Sequence, residues 1–316
     1  MLNGETLNEN KKFFSKIGIN YLTYAIASII AQAIIINMLN LININPLGNL
    51  NALTIISAIC NYVLPFPIMI FLMRKLESYR LEKHSLDLIT FLTYIAIALT
   101  LMWIGNIIGL IITTLISAAT LTDIANPVQE LIHSTDIWLN LLLISFIGPV
   151  FEELFFRKLL IDRTIKYGAK LSIILSALMF GLFHGNLNQF FYAFLIGGFF
   201  AYVYMKTGNI IYPILLHMII NFMGSFVSLF VAGSVKNLTS GAIMATDLVL
   251  VIIYLLIIST AFVIGLLKLF KLKRVNLDFI KAKITLTQPF KTVILNYGMI
   301  LFIGFCIFEM IYQILS

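Results

Sequence analysis

Glu152 and Glu153 stand side by side in the apolar run from Phe151 to Arg157, and His184, His217 and Asn221 follow in two further apolar runs. A charged side chain at membrane depth costs about 2.5 to 3.5 kcal/mol or more, so such residues mark function by default. On a helix, residues four apart share a face. Glu153 and Arg157 therefore pair along one stripe, and Glu152 points elsewhere. Adjacent carboxylates held in different surroundings are the arrangement of an acid/base site. On these grounds Glu153 and Arg157 are expected to brace the structure and Glu152 to do chemistry. Gly148-Pro149 lies just upstream, where the proline frees a backbone carbonyl and bends the span beside the carboxylate.

Two more pairs repeat the four-residue spacing. Phe180 and His184 share a face in Phe-Gly-Leu-Phe-His, with glycines that permit close helix approach. His217 and Asn221 share another, one turn beyond Pro213. A single polar residue in a membrane helix is often only an interhelical hydrogen-bonder worth about 0.6 kcal/mol. Asn61, Asn106 and Asn140, without a companion at helical spacing, are read that way, and Glu309, His84 and His133 receive no role. Imidazole and amide donors suit developing negative charge, and a carboxylate suits general-base work. No Ser or Cys stands at helical spacing from either motif histidine, so a covalent nucleophile has no support.

The three patterns, Glu152-Glu153-x-x-x-Arg157, Phe180-x-x-x-His184 and His217-x-x-x-Asn221, resemble in order those of the CPBP family. That family includes type II CAAX prenyl endopeptidases and bacteriocin-immunity homologues. The Leu195-Ile196-Gly197-Gly198 stretch and the Thr207-Gly208-Asn209-Ile210 turn are similar to it as well. The resemblance covers about 138–224. It implies peptide-bond hydrolysis without a covalent intermediate, with Glu152 and His184 activating water and His217 and Asn221 stabilising the oxyanion. Glu153, Arg157 and Phe180 would support them. The substrate implied is a membrane-associated peptide or protein. The alternatives are a non-proteolytic immunity or scaffold protein that binds a peptide or signalling partner, and a transporter, against which the lack of internal repeats counts.

No cofactor is expected. Zinc is the alternative, because Glu152, His184 and His217 are ligand types it accepts and a catalytic site needs three. The His-Glu-x-x-His helix that commonly supplies two of them is absent, and Glu153 is committed to Arg157.

The elements that must position these groups are membrane helices. Apolar residues make up 60% of the 316 and charged residues 11%, which excludes a water-soluble globular domain. The fold class is all-α, a polytopic transmembrane bundle of eight to nine spans in a lipid bilayer. Candidate spans are 17–39, 53–73, 88–115, 138–160, 171–184, 190–205, 210–231, 248–270 and 293–315. The fifth and sixth are short, so at full depth they must lie inside protein. Three regions follow: N-terminal helices over 1–137, a catalytic core over 138–224, and C-terminal helices with a basic cytoplasmic loop over 225–316.

Alternating nine spans from a cytoplasmic N-terminus puts 20 of the 21 Lys and Arg on the cytoplasmic side, with only Lys236 outside. The positive-inside rule then favours N-in and C-out, with the site near the cytoplasmic face and its water reached from there. The net charge of +7 thus reflects orientation, and no nucleic-acid partner is implied. The loop from 118 to 137, with Asp123, Glu130 and Asp136, carries no basic residue. The basic segment 271–291 is read as a solvated loop. Cys60 and Cys306 read as buried, inert thiols. Oligomeric state has no signature in the sequence.

Overall fold

The computed structural model describes residues 2–122, 124, 126–241, 244–272 and 280–315; Asp123, Lys273 and Arg274 lie outside the described residues. The described residues form helices, with no strand among them. Among the described residues, eight helices are long and apolar enough to cross a membrane. They are α1 (Leu7–Leu41), α2 (Leu50–Met73), α3 (Leu88–Thr120), α4 (Ile137–Tyr167), α6 (Leu187–Thr207), α7 (Ile211–Thr239), α8 (Ala245–Lys271) and α9 (Tyr297–Leu315). Between α4 and α6 lies the shorter apolar helix α5 (Ala169–Phe183). The protein is a multi-pass membrane protein with an all-α bundle fold.

All nine expected spans appear as helices, with two revisions. The fifth is short as expected: its 15 residues rise about 22 Å, less than the ~30 Å hydrocarbon thickness. The sixth has 21 residues, enough to cross, because polar Asn188 and Gln189 belong to the helix and do not end it. It is also the most enclosed, with 56% of its apolar window buried. The fourth span continues to Tyr167, so Arg157 lies ten residues inside it and does not end it.

The hairpin joining α5 to α6 has a sequence cause. Gly185 takes φ +63°, a conformation favoured by glycine, and Asn186 then caps α6 by accepting from the Gln189 backbone N–H at 2.8 Å. At the other end of the bundle, two segments lie across the helix ends. The first, from Arg74 to Asp87, bonds through Tyr79 N–H to the Asp162 carbonyl (2.6 Å) and through His84 N–H to the Thr207 carbonyl (2.7 Å). Leu86 N–H donates to the Tyr212 hydroxyl at 2.9 Å. The second is the described part of the basic loop, where Lys283 and Ile284 N–H groups both donate to the Lys166 carbonyl. This part of the loop, expected to be solvated, is docked, because Lys166 ends α4 with an unsatisfied carbonyl that it can cover.

Three helices contain π-type turns, which recur at functional sites. They cover Ile59–Val63 in α2, Leu141–Ile147 and Leu154–Leu159 in α4, and Phe222–Val227 in α7. All border one cavity.

Candidate active site

Glu153 and Arg157 are fully buried and pair as the four-residue spacing requires. Arg157 Nε lies 2.9 Å from Glu153 Oε2 and Nη2 donates to Oε1 at 3.3 Å. Arg157 Nη1 donates to Ser176 Oγ at 2.9 Å, and its guanidinium carbon sits 4.7 Å over the Phe180 ring. Arg157 Nε and Glu153 Oε2 are held by charge attraction alone, without a well-aligned hydrogen bond, and the opposite charges offset the cost of burying each other.

Glu153 also reaches across the bundle. His217 Nδ1 lies 2.9 Å from Glu153 Oε1, so the ring donates there. Its Nε2 then points to Glu152, 3.7 Å from Oε2. Glu152 is 22% exposed where Glu153 is sealed, and its other oxygen accepts from the Tyr62 hydroxyl at 3.0 Å. Of the two adjacent carboxylates, Glu153 is sealed against Arg157 and His217, and Glu152 keeps an oxygen toward the cavity.

His184 closes the end of α5. Its Nδ1 lies 2.8 Å from the Phe180 carbonyl, which only accepts, so Nδ1 carries the proton and Nε2 keeps its lone pair. Phe180 meets both imidazoles edge-on, at centroid distances of 4.8 Å for His184 and 5.7 Å for His217. Gly197 makes room for this ring, since a Cβ there would stand 2.7 Å from Phe180 Cδ1.

Asn221 has a partner that the motif does not suggest. Its Nδ2 donates to the Ile144 carbonyl at 2.9 Å. In the π-turn before Pro149, Gly148 N–H bonds the Leu143 carbonyl five residues back. The next bond in that register would run from residue 149 to Ile144, and proline has no N–H. Asn221 supplies the missing donor and keeps a second amide hydrogen.

Glu152, His184, His217, Asn221 and Tyr62 line a cavity of about 1100 Å³. The cavity runs away from the basic loops. It extends along the first half of α2 (Leu50, Ser57) and the latter half of α7 (Ala232) to Gln129 and His133 of the short helix Pro127–Ser134. Those ends lie opposite the basic loops. Toward the basic end it stops on Phe155 and Phe156, 2% and 1% exposed, above sealed Arg157 and Leu160. The two docked segments and this aromatic layer close the end of the bundle that carries the basic loops.

The sequence reading missed Tyr62, and it set aside Asn61 and Asn106, which line the same cavity. Their signal was a polar side chain alone in an apolar run. Asn140 carries the same signal yet is structural, with its amide on the Ile132 carbonyl (2.9 Å) and its oxygen accepting from Thr135 (2.6 Å). Glu309 sits beside Gly185 at the hairpin turn. Among the described residues, no three His, Cys, Asp or Glu side chains are grouped to hold a metal ion.

Comparison with known proteins finds similarity over the segment that holds these motifs. Residues 134–223 match the family model described as "Type II CAAX prenyl endopeptidase Rce1-like". A Bacillus subtilis protein named "Putative membrane peptidase YdiL" is 32% identical over 87 residues, which are 26% of this chain and 34% of that protein. The chain thus spans about a third of the length of the curated relative it matches. No solved structure matches it. Over residues 134–223, the segment that carries all three motifs, the chain is similar to the Rce1-like family of type II CAAX prenyl endopeptidases.

Proposed function

We propose that this protein is an intramembrane endopeptidase in which Glu152 activates water against the peptide bond of a membrane-associated peptide or protein. The observation that carries this reading is the division of labour between the two carboxylates: Glu153 is buried and engaged by Arg157 and His217, while Glu152 faces the cavity with one oxygen steadied by Tyr62. The family match and the name of the curated relative support the same class of reaction.

Water held by Glu152 and the free Nε2 of His184 gives a proton to the carboxylate as its oxygen bonds the scissile carbonyl carbon. The oxyanion takes a hydrogen bond from the second amide hydrogen of Asn221 and from His217, whose Nε2 must then be protonated. Collapse of the intermediate breaks the C–N bond, and Glu152 returns the proton to the leaving amine. One carboxyl and one amine product result. The oxyanion donors are preorganised, since Asn221 is oriented by Ile144 and His217 by Glu153. Catalysis without a metal is part of the proposal, supported by the commitment of Glu153 and of both Nδ1 atoms to protein partners.

The test is purified protein incubated with a quenched fluorescent peptide library. Cleavage that vanishes in Glu152→Gln is expected; a folded wild-type protein that cleaves nothing would leave a peptide-binding role.

A further inference from the structure

We infer that the site is served from the extracytoplasmic side and takes an unfolded, largely uncharged peptide segment presented there. The inference rests on the proposed peptidase reading for the word substrate, but its account of access stands on the fold alone.

Two independent observations meet. Among the described residues, Lys and Arg apart from Arg157 and Lys236 gather at one end of the bundle, at 11–16, 74–83, 158–170, 206, 268–271 and 281–291, and such ends face the cytoplasm. The cavity lies at the other end. Gln129 and His133 at its rim are exposed, and they belong to the loop that carries no basic residue. The basic end is shut by the Arg74–Asp87 segment bonded to Asp162 and Thr207, and by Phe155 and Phe156 beneath the site. Reaching Glu152 from the cytoplasm would require breaking that layer, whereas one continuous cavity joins it to exposed Gln129 and His133 on the opposite face.

The lining identifies the guest. Between the rim and Glu152 the polar groups are amides and hydroxyls, Asn61, Asn106, Ser57 and Ser225 among them. An extended peptide carries a donor and an acceptor on each residue that must be satisfied when buried, and these side chains can satisfy them. Apart from Glu152, no acidic or basic side chain other than histidine lines the cavity among the described residues to pair with a charged segment. A helix entering whole would bring no free backbone groups to use them, so the segment must be unwound at the point of cleavage.

The experiment measures the side of access without requiring turnover. In a background with Cys60→Ala and Cys306→Ala, single cysteines are placed at Gln129 on the rim, Ser57 within the cavity and Lys75 at the basic end. A membrane-impermeant maleimide is applied to intact and to permeabilised cells. The expected result is labelling of Gln129→Cys and Ser57→Cys in intact cells, and of Lys75→Cys only after permeabilisation. Either cavity position suffices if the other variant fails to fold. Labelling of Lys75→Cys in intact cells, or of both cavity positions only after permeabilisation, overturns the inference. A second arm adds water-soluble quenched peptides to sealed right-side-out vesicles. Cleavage unchanged by permeabilisation is expected, whereas cleavage that appears only on permeabilisation overturns the inference. If labelling holds and no peptide is cleaved on either side, access is upheld and the peptidase reading fails.

Discussion

His217 Nδ1 and Glu153 Oε1 lie 2.9 Å apart, joining α7 to α4 through 64 residues of chain. This bond gives Glu153 a task beyond pairing with Arg157: it fixes the imidazole so that Nε2 faces Glu152. The four groups Arg157, Glu153, His217 and Glu152 balance in charge when one proton resides on either Glu152 or His217 Nε2. A poorly solvated cluster of net zero charge avoids the cost of an uncompensated ion. Proton transfer between general base and oxyanion donor can then proceed without changing the total charge of the site.

Glu153→Gln should therefore lower both stability and activity. Arg157 would be left without its counter-ion at a sealed position, and removing one partner of a buried pair costs about 3 to 5 kcal/mol. The check is the yield and thermal midpoint of detergent-solubilised protein. Wild-type stability in this variant would mean that Ser176 and Phe180 alone suffice to hold the guanidinium.

Glu152→Gln and His184→Ala should abolish peptide cleavage while leaving the protein folded. Glu152 is partly exposed and its amide isostere can still accept from Tyr62. His184→Ala frees a carbonyl that can turn to cavity water. Monodisperse elution with unchanged thermal midpoint, beside lost turnover, is the expected pair of readings.

Tyr62→Phe tests a residue that lies outside the motif-bearing segment. Its hydroxyl holds one Glu152 oxygen, and hydrogen bonds to charged groups contribute about 1.5 to 3 kcal/mol. If that energy orients the base for attack, turnover should fall by about 10- to 100-fold, since 1.36 kcal/mol is tenfold in rate. The stacking of the ring on Phe151 at 5.5 Å is kept in the variant, so folding should be spared. A raised Michaelis constant with unchanged turnover would instead place Tyr62 in substrate binding.

What the sequence revealed and concealed divides along a physical line. Glu153 with Arg157 and Phe180 with His184 were legible because four-residue spacing is a local geometric rule. The span pattern was legible because a bilayer demands long apolar runs. His217 against Glu153 was not, since contacts between helices depend on rotations that no local rule sets. Tyr62 was hidden for a related reason: it is one of 13 tyrosines, and an aromatic ring in an apolar helix gives no sign of where its hydroxyl will point. The direction of the cavity was also hidden, because which residues border it, Ser57 and Ser225 among them, depends on how the helices pack against one another. The carbonyl freed by Pro149 was anticipated, but its identity was not: an α-helical register would free Ser145, and the π-turn frees Ile144.

Treatment with a strong chelator, followed by elemental analysis, should leave peptide cleavage intact. The atoms still available around the cavity are Glu152 Oε2, His184 Nε2 and His217 Nε2, while a catalytic zinc takes three protein ligands at about 2.0 to 2.2 Å. Loss of cleavage that returns on adding zinc would mean that these three converge on a metal and that water is activated by it.

The bond from Asn221 to Ile144 makes a prediction that separates structure from catalysis. Asn221→Ala should destabilise the protein by about 1 to 3 kcal/mol, because a carbonyl in the interior loses its donor. It should also reduce turnover by about 10²- to 10³-fold if the second amide hydrogen meets the oxyanion. Pro149→Ala restores the backbone N–H that the π register lacks, and that N–H can take over Ile144. In the double variant the stability deficit should shrink, and the coupling energy between the two positions measures the exchange. The turnover deficit should remain, since no backbone donor replaces the side chain in the cavity. Thermal midpoints and turnover numbers for the four proteins of this cycle decide the matter. Recovery of both quantities in the double variant would show that Asn221 acts only by supporting the α4 backbone, with no hydrogen bond to the reacting carbonyl.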